Sequence, residues 1–272
     1  MSNLSGSSEF PLPAQTFQVD ALSVLVYQSE AEMVRDAARQ VGEYLQHCIA
    51  QLGAAAVILA TGKSQIQFLD TLISLGGVDW SKVTFFHLDE YLGIDAQHPG
   101  SFRRYLRERV ETRTKPWVFH YIEGDAMQPL DECDRYTKLL QAQPIDLCCL
   151  GLGENGHLAF NDPPVASFDD PRQVKLVKLD KVTRQQQVNQ NYFPTIEAVP
   201  QYAFTLTIPT ICSAKKIICL APEKRKASSV KAMLTGEIST AIPASILRTQ
   251  PQATLFLDVD SASDVGELGN EG

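Results

Sequence analysis

The chain has 272 residues, 44% of them hydrophobic, with 24 Lys and Arg against 32 Asp and Glu and a formal net charge of −8. That composition supports a sizeable core and excludes a chain disordered throughout. The acidic balance argues against a nucleic-acid binder, which would carry a basic surface, but leaves room for a locally positive site for a small anion.

Residues 1–16 read as a flexible leader, without the charged and apolar regions of a signal peptide. A single domain is expected over 17–260 and a disordered acidic tail over 261–272. Within the domain "ALSVLVY" (21–27) predicts a strand. Ser29 and Glu32 then stand in capping-box spacing before a helix that places Met33, Ala37, Val41, Tyr44 and Cys48 on one face. "AAAVILA" (54–60), "VTFFHL" (83–88) and "IDLCCLGLG" (145–153) are continuous apolar runs, the mark of strands buried on both faces. Further strands are expected at "WVFHY" (117–121), "YAFTLTI" (202–208), "KKIICLA" (215–221) and "ATLFLD" (253–258). Helices are expected around 65–75, 101–110, 130–142 and 226–236. The alternation predicts an α/β domain, doubly wound and Rossmann-like, with a mostly parallel sheet and helices on both faces.

No apolar stretch approaches the roughly 18–20 residues of a membrane span. None of the six cysteines forms C-x-x-C, and Cys148, Cys149 and Cys219 lie inside apolar runs where thiols behave as small hydrophobes. Neither a zinc site nor a disulfide framework is indicated, so a soluble, cytoplasmic protein is expected.

In such sheets ligands gather at the carboxyl ends of strands. Three apolar strands here end in polar, Gly-containing segments, "TGKSQ", "DEYLG" and "GENGHLAFND", each read as a loop. "GKS" at 62–64 imitates a P-loop, but the partner glycine would fall at residue 57, which is Val57. What survives is a strand–turn–helix junction whose free backbone N–H groups suit a phosphate, with Lys63 adding charge. Gly151, Gly153 and Gly156 have dinucleotide-turn spacing, yet Pro163, Pro164 and Pro171 stand where the dinucleotide-binding helix would run. The glycines are therefore expected to let the backbone turn tightly beside a ligand.

His157 follows within a few residues of Asn155, Asn161 and Asp162. An imidazole titrating near pH 6.5 can take or give a proton when a carboxylate fixes its tautomer, although a lone histidine is as readily structural. Asp89 and Glu90 offer two acids directly after a buried strand, of which one can face a cleft as a general base; the residues alone do not say which.

Together these motifs resemble the glucosamine-6-phosphate deaminase/isomerase family, within a superfamily that also holds 6-phosphogluconolactonases. The resemblance is carried by "LATG" (59–62), "FHLDEYLGI" (86–94), "HPGSFRRYL" (98–106), "LGLGENGHLAFNDPP" (150–164), "VPQYAFTLTIPT" (199–210) and "STAIPASIL" (239–247). "HLAFNDP" and "DEY" are similar to the deaminase branch rather than the lactonase branch. The resemblance implies Asp89 as the base that moves a proton between C2 and C1 of the open-chain sugar, and His157 as the ring-opening histidine. It implies that Asn155 and Asp162 assist His157, Asp162 standing where the family usually has glutamate. Thr61, Gly62 and Ser64 match the phosphate-holding turn, with Lys63 at a position uncharged in the family, and Lys226 matches the lysine that reaches the phosphate. The family's phosphate arginine near residue 191 is missing, and Arg184, about two helical turns earlier, is the expected substitute. The segment that carries an allosteric site in some members is dissimilar at "SFDDPRQVKLV", so that regulation is not expected.

The implied activity is deamination of glucosamine 6-phosphate to fructose 6-phosphate, with lactone hydrolysis and a non-catalytic sugar-phosphate-binding regulator as the alternatives. The expected partner is a small phosphorylated amino sugar, without metal or cofactor and without nucleic acid or membrane. Association into a homo-oligomer is left open.

Overall fold

Alternate residues of the central strands face two different cores, which is why those strands read as unbroken apolar runs. The computed structural model describes residues 10–266. Its main sheet is built from β1 (Gln15–Val19), β2 (Leu22–Tyr27), β3 (Ala55–Leu59), β4 (Val83–His87), a short β6 (Val118–Phe119), β7 (Leu147–Gly151), β10 (Lys216–Leu220) and β11 (Ala253–Asp258), in the order β1-β2-β11-β10-β7-β3-β4-β6. Only β1 is antiparallel to its neighbour; every other pairing is parallel.

Along β3, Ala55, Val57 and Leu59 pack on one face with Met33, Ala37 and Val41 of α1 (Glu30–Leu52) and Phe68 and Leu72 of α2 (Lys63–Leu75). Ala56, Ile58 and Ala60 pack on the other, with Tyr136 and Leu140 of α5 (Pro129–Gln141), Ile211 of α7 (Ile208–Cys212), and Val230 and Met233 of α8 (Ala227–Thr235). The expected doubly wound, mostly parallel domain is thus what forms. α1 starts as its capping-box spacing requires: Glu32 N donates to Ser29 Oγ at 3.3 Å, and the helix ends at Gly53 with φ +82°. The helix expected over 101–110 is α3 (Phe102–Leu106), which continues through a π-turn at Arg107–Glu111 into α4 (Thr112–Thr114).

Three features differ from the sequence expectations. β1 begins at Gln15, two residues inside the expected leader; residues 1–9 lie outside the described residues. The acidic tail is not free at its start. Ser261 is buried and exchanges hydrogen bonds with Asp258, and Val265 packs into the core, so ordered chain runs to 266; residues 267–272 lie outside the described residues. Finally "DEY", expected as a loop, is a strand. β5 (Asp89–Tyr91) joins β9 (Tyr202–Leu206) and β8 (Val174–Lys178) in a small antiparallel sheet, order β5-β9-β8. Its own core includes Tyr91, Phe102, Phe160, Phe193 and Val199.

The strand order reverses between β3 and β7, because the chain leaves β3 toward β4 and β6 and returns to β7 on the other side. The carboxyl ends of β3, β4, β7 and β10 therefore open around one crevice, where ligands of such sheets bind.

Candidate active site

That crevice is an open cleft of the kind in which such sheets bind small molecules. Thr61, Gly62, Lys63 and Ser64 line it from the end of β3, Asp89 from β5, His157 from the loop after β7, and Lys226 from the loop after β10. Seven of the residues singled out in the sequence thus meet in one place.

Gly62 precedes α2 with φ +103°, and no side chain caps the helix start. The N–H groups of Lys63 and Ser64, at the start of a 13-residue helix, are left for an anion, and the helix dipole favours one. The turn is fixed from behind: the Gly62 carbonyl accepts from the Tyr105 hydroxyl at 3.0 Å and from Gln65 N at 3.1 Å. Lys63 itself is exposed at the mouth. Lys226 is buried, and its ammonium donates to the Leu152 carbonyl. Burial, and then the adjacent Arg225 charge, push it down to about 8.

The two adjacent acids have separate tasks. Glu90 is fully buried and accepts from Ser101 Oγ (2.8 Å), Phe102 N (3.1 Å), Arg103 N (2.9 Å) and Tyr91 N (3.0 Å). It caps α3. Asp89, one residue earlier on β5, lines the cleft instead. Burial, reinforced by the Glu90 charge, holds its carboxyl well above the usual carboxylate range.

His157 is seated by its own loop. A Cβ on Gly153 would lie 2.4 Å from the imidazole, and Gly153 N donates to the His157 carbonyl at 3.0 Å. Gly156 has φ +80°. The glycine spacing that imitates a dinucleotide turn thus gives the histidine ring its room, and no helix follows it. Asn155 and Asp162 stand behind the ring rather than in the cleft. Asn155 Oδ1 accepts from His157 N at 3.1 Å, and its Nδ2 donates to Asp162 Oδ1 at 3.0 Å. Asp162 Oδ1 lies 3.0 Å from His157 Nδ1, and Asp162 Oδ2 accepts from Asp180 N at 3.1 Å. Burial opposes ionisation of Asp162, but His157, Asn155 and Thr183 outweigh it and bring the carboxyl down to about 2. An ionised carboxylate only accepts, so the Nδ1 that faces it carries the proton and Nε2 is the atom left for the substrate.

Arg184 is a correction to the sequence reading. Its guanidinium donates to the carbonyls of Ile196 and Val199, outside the cleft. The reason is helical phase. Along α6 (Lys181–Asn189) and just beyond it, Thr183, Gln186, Gln187 and Gln190 share the side turned to the site, and Arg184 points away from it. Thr183, which sequence reasoning missed, donates to Asp162 Oδ1 at 2.6 Å; the i, i+3, i+4, i+7 spacing of these polar residues is the signal that could have found the group. Arg225, also missed, lines the cleft beside Lys226.

The fold and the cleft define a doubly wound α/β protein that joins an anion-type turn to a carboxylate and a carboxylate-held imidazole. The chain belongs to the family of glucosamine-6-phosphate isomerases/6-phosphogluconolactonase, whose model matches residues 28–256. It is 32% identical over 212 residues to the glucosamine-6-phosphate deaminase of Lactobacillus delbrueckii subsp. bulgaricus, spanning 78% of this chain and 88% of that one. The Streptococcus pneumoniae glucosamine-6-phosphate deaminase is 34% identical over 212 residues, 78% of this chain and 87% of its own. The solved structure of a monomeric glucosamine-6-phosphate deaminase matches with a TM-score of 0.82 at 32% identity, over 89% of this chain and 99% of that one. A 6-phosphogluconolactonase from Shewanella baltica shares the fold, with a TM-score of 0.69 and 17% identity over 89% of this chain and 97% of its own.

Proposed function

We propose that this chain is a glucosamine-6-phosphate deaminase of amino-sugar breakdown in the cytoplasm, converting glucosamine 6-phosphate and water to fructose 6-phosphate and ammonia. The observation that carries the reading is the convergence of Asp89, His157, Lys226 and the Thr61–Ser64 turn on one cleft.

The C2 hydrogen becomes acidic only when C1 is an aldehyde, so the sugar ring opens first. His157, held by Asp162, moves a proton between O1 and O5 through Nε2. Asp89 then takes the C2 hydrogen as a proton, giving a 2-amino-1-enol, and returns a proton to C1. The resulting C2 imine adds water and releases ammonia, leaving the ketone. Each positioned proton transfer contributes about 10²–10⁴-fold. The turn and Lys226 hold the phosphate end, whose remote binding energy keeps C1 and C2 in register with the two acid–base groups.

An ammonia-release assay over a panel of hexosamine 6-phosphates tests the reading. Ammonia from glucosamine 6-phosphate, lost in Asp89→Asn with binding retained, is the expected result. Hydrolysis of 6-phosphogluconolactone in place of ammonia release, or tight sugar-phosphate binding with no turnover, would overturn it.

A further inference from the structure

Arg225 is a charged cleft residue that the mechanism has not used. Its guanidinium is held by a fork to Glu223, Nε to Oε2 at 2.8 Å and Nη2 to Oε1 at 2.9 Å, and by Nη1 to Glu154 Oε1 at 2.9 Å. Three of five N–H donors are thereby engaged, leaving one on each terminal nitrogen. The side chain is 29% exposed, and it lines the same cleft as Lys226 and the turn at the start of α2.

The hold on this arginine is built at some cost. Glu223 adopts φ +79°, ψ 143°, a conformation glycine normally supplies. Its backbone N–H donates to Asp258 Oδ2 at 3.1 Å, which keeps the strained residue in place. In this conformation the Glu223 carboxylate meets Arg225 two residues later. Glu154 meets the same guanidinium from the loop that carries His157. A side chain fixed from two loops, with donors left over at a cleft, is a preorganised anion contact rather than a solvated surface charge.

We propose that Arg225 is the second cationic contact for the phosphate group of the ligand, beside Lys226 and the Thr61–Ser64 turn. This rests on the sugar-phosphate reading of the cleft. It also supplies what Arg184 does not, since that arginine is spent on the carbonyls of Ile196 and Val199. Lys63, Arg225 and Lys226 bring three cationic side chains to the lining of the same cleft.

The competing role is that of a strut, in which Arg225 only ties the loop after β7 to the loop after β10. The two roles differ in sign for Glu154→Gln. A ligand contact relieved of one competing carboxylate binds phosphate as well as or better than before. A broken strut weakens it.

Titration of the full chain with inorganic phosphate, together with steady-state kinetics on glucosamine 6-phosphate, separates them. In Arg225→Gln the phosphate Kd and the sugar-phosphate KM are expected to rise about ten-fold or more, with kcat within about three-fold of the parent. Arg225→Lys should fall between, keeping the charge and losing the fork. Unchanged phosphate affinity in Arg225→Gln overturns the proposal, and so does a Glu154→Gln protein that weakens as much as Arg225→Gln. Should Arg225→Gln not fold, Arg225→Lys and Glu154→Gln carry the same test. A parent protein that binds phosphate but releases no ammonia would sink the deaminase reading while leaving the phosphate titrations to decide on Arg225.

Discussion

Oδ1 of Asp162 lies 3.0 Å from Nδ1 of His157 and also receives the Thr183 hydroxyl at 2.6 Å. An aspartate one methylene shorter than the glutamate implied by the family resemblance still reaches the imidazole. It does so because α6 brings Thr183 and the Asp180 N–H to the same carboxylate.

Asp162→Asn should therefore lower kcat by about 10²-fold, because an amide no longer dictates which ring nitrogen is protonated. It should also cost about 2 kcal/mol at pH 7, corresponding to a carboxyl brought from 3.8 down to about 2. A depressed carboxyl stabilises the fold above its unfolded value and loses that contribution as pH falls. Urea unfolding of parent and variant should give a difference that shrinks between about pH 4 and pH 2.

Asp89→Asn should reduce ammonia release by about 10³-fold or more while leaving phosphate binding intact. Its stability effect has the opposite sign. The folded protein holds the Asp89 proton to higher pH than the unfolded chain, so the charged form destabilises the fold increasingly as pH rises above about 4. The asparagine variant is expected to melt at higher temperature than the parent at pH 7, with the gap narrowing toward pH 4. A variant that melts lower throughout would contradict the buried, unpaired character of this carboxyl.

Affinity for a sugar phosphate should fall as pH rises through about 8. The phosphate monoester is already a dianion above about pH 7, so its own charge no longer changes there. Lys226 does change, losing its proton around that value. Calorimetric titration from pH 7 to pH 9.5 should show the decline in the parent. In Lys226→Met affinity should be low at every pH, and the pH-dependence should disappear.

Gly153→Ala places a methyl group where the His157 ring now sits, 2.4 Å from its atoms. The ring must shift, and a misplacement of about 1 Å costs on the order of 10²-fold in rate. Phosphate affinity should fall far less than kcat, because the Thr61–Ser64 turn follows a different strand. Comparing kcat with phosphate Kd in this variant checks that the glycine serves the histidine and not the anion.

The main sheet was legible because strands covered on both faces are apolar at every position, a signal independent of distant contacts. The small antiparallel sheet was not. "DEY" has three residues, two of them acids, and their strand conformation comes from pairing with Phe204 and Thr205 more than a hundred residues away. Which of Asp89 and Glu90 faces the cleft was hidden for the same reason, since α3 claims one of them only once the chain has folded back. Arg184 and Arg225 show the limit from another side. Both are arginines near site motifs, and what separates them is helical phase on α6 and a strained Glu223, neither of which can be read from residue type. His157, Asn155 and Asp162 were legible because a single short loop carries all three.

On β5 the acids Asp89 and Glu90 stand opposite Thr205 and Phe204, and the two-residue period of a strand sends them to opposite sides. Swapping the two residues, Asp89→Glu together with Glu90→Asp, would exchange their side chains between those two sides. The cleft would still receive a carboxylate, but α3 would be handed the shorter side chain and would lose the grip on Ser101, Phe102 and Arg103. The order of the two letters therefore matters more than their identity. It ties the anchoring of a helix to the placement of an acid, so that the exchange would first be felt as a loosened helix and only then as altered chemistry.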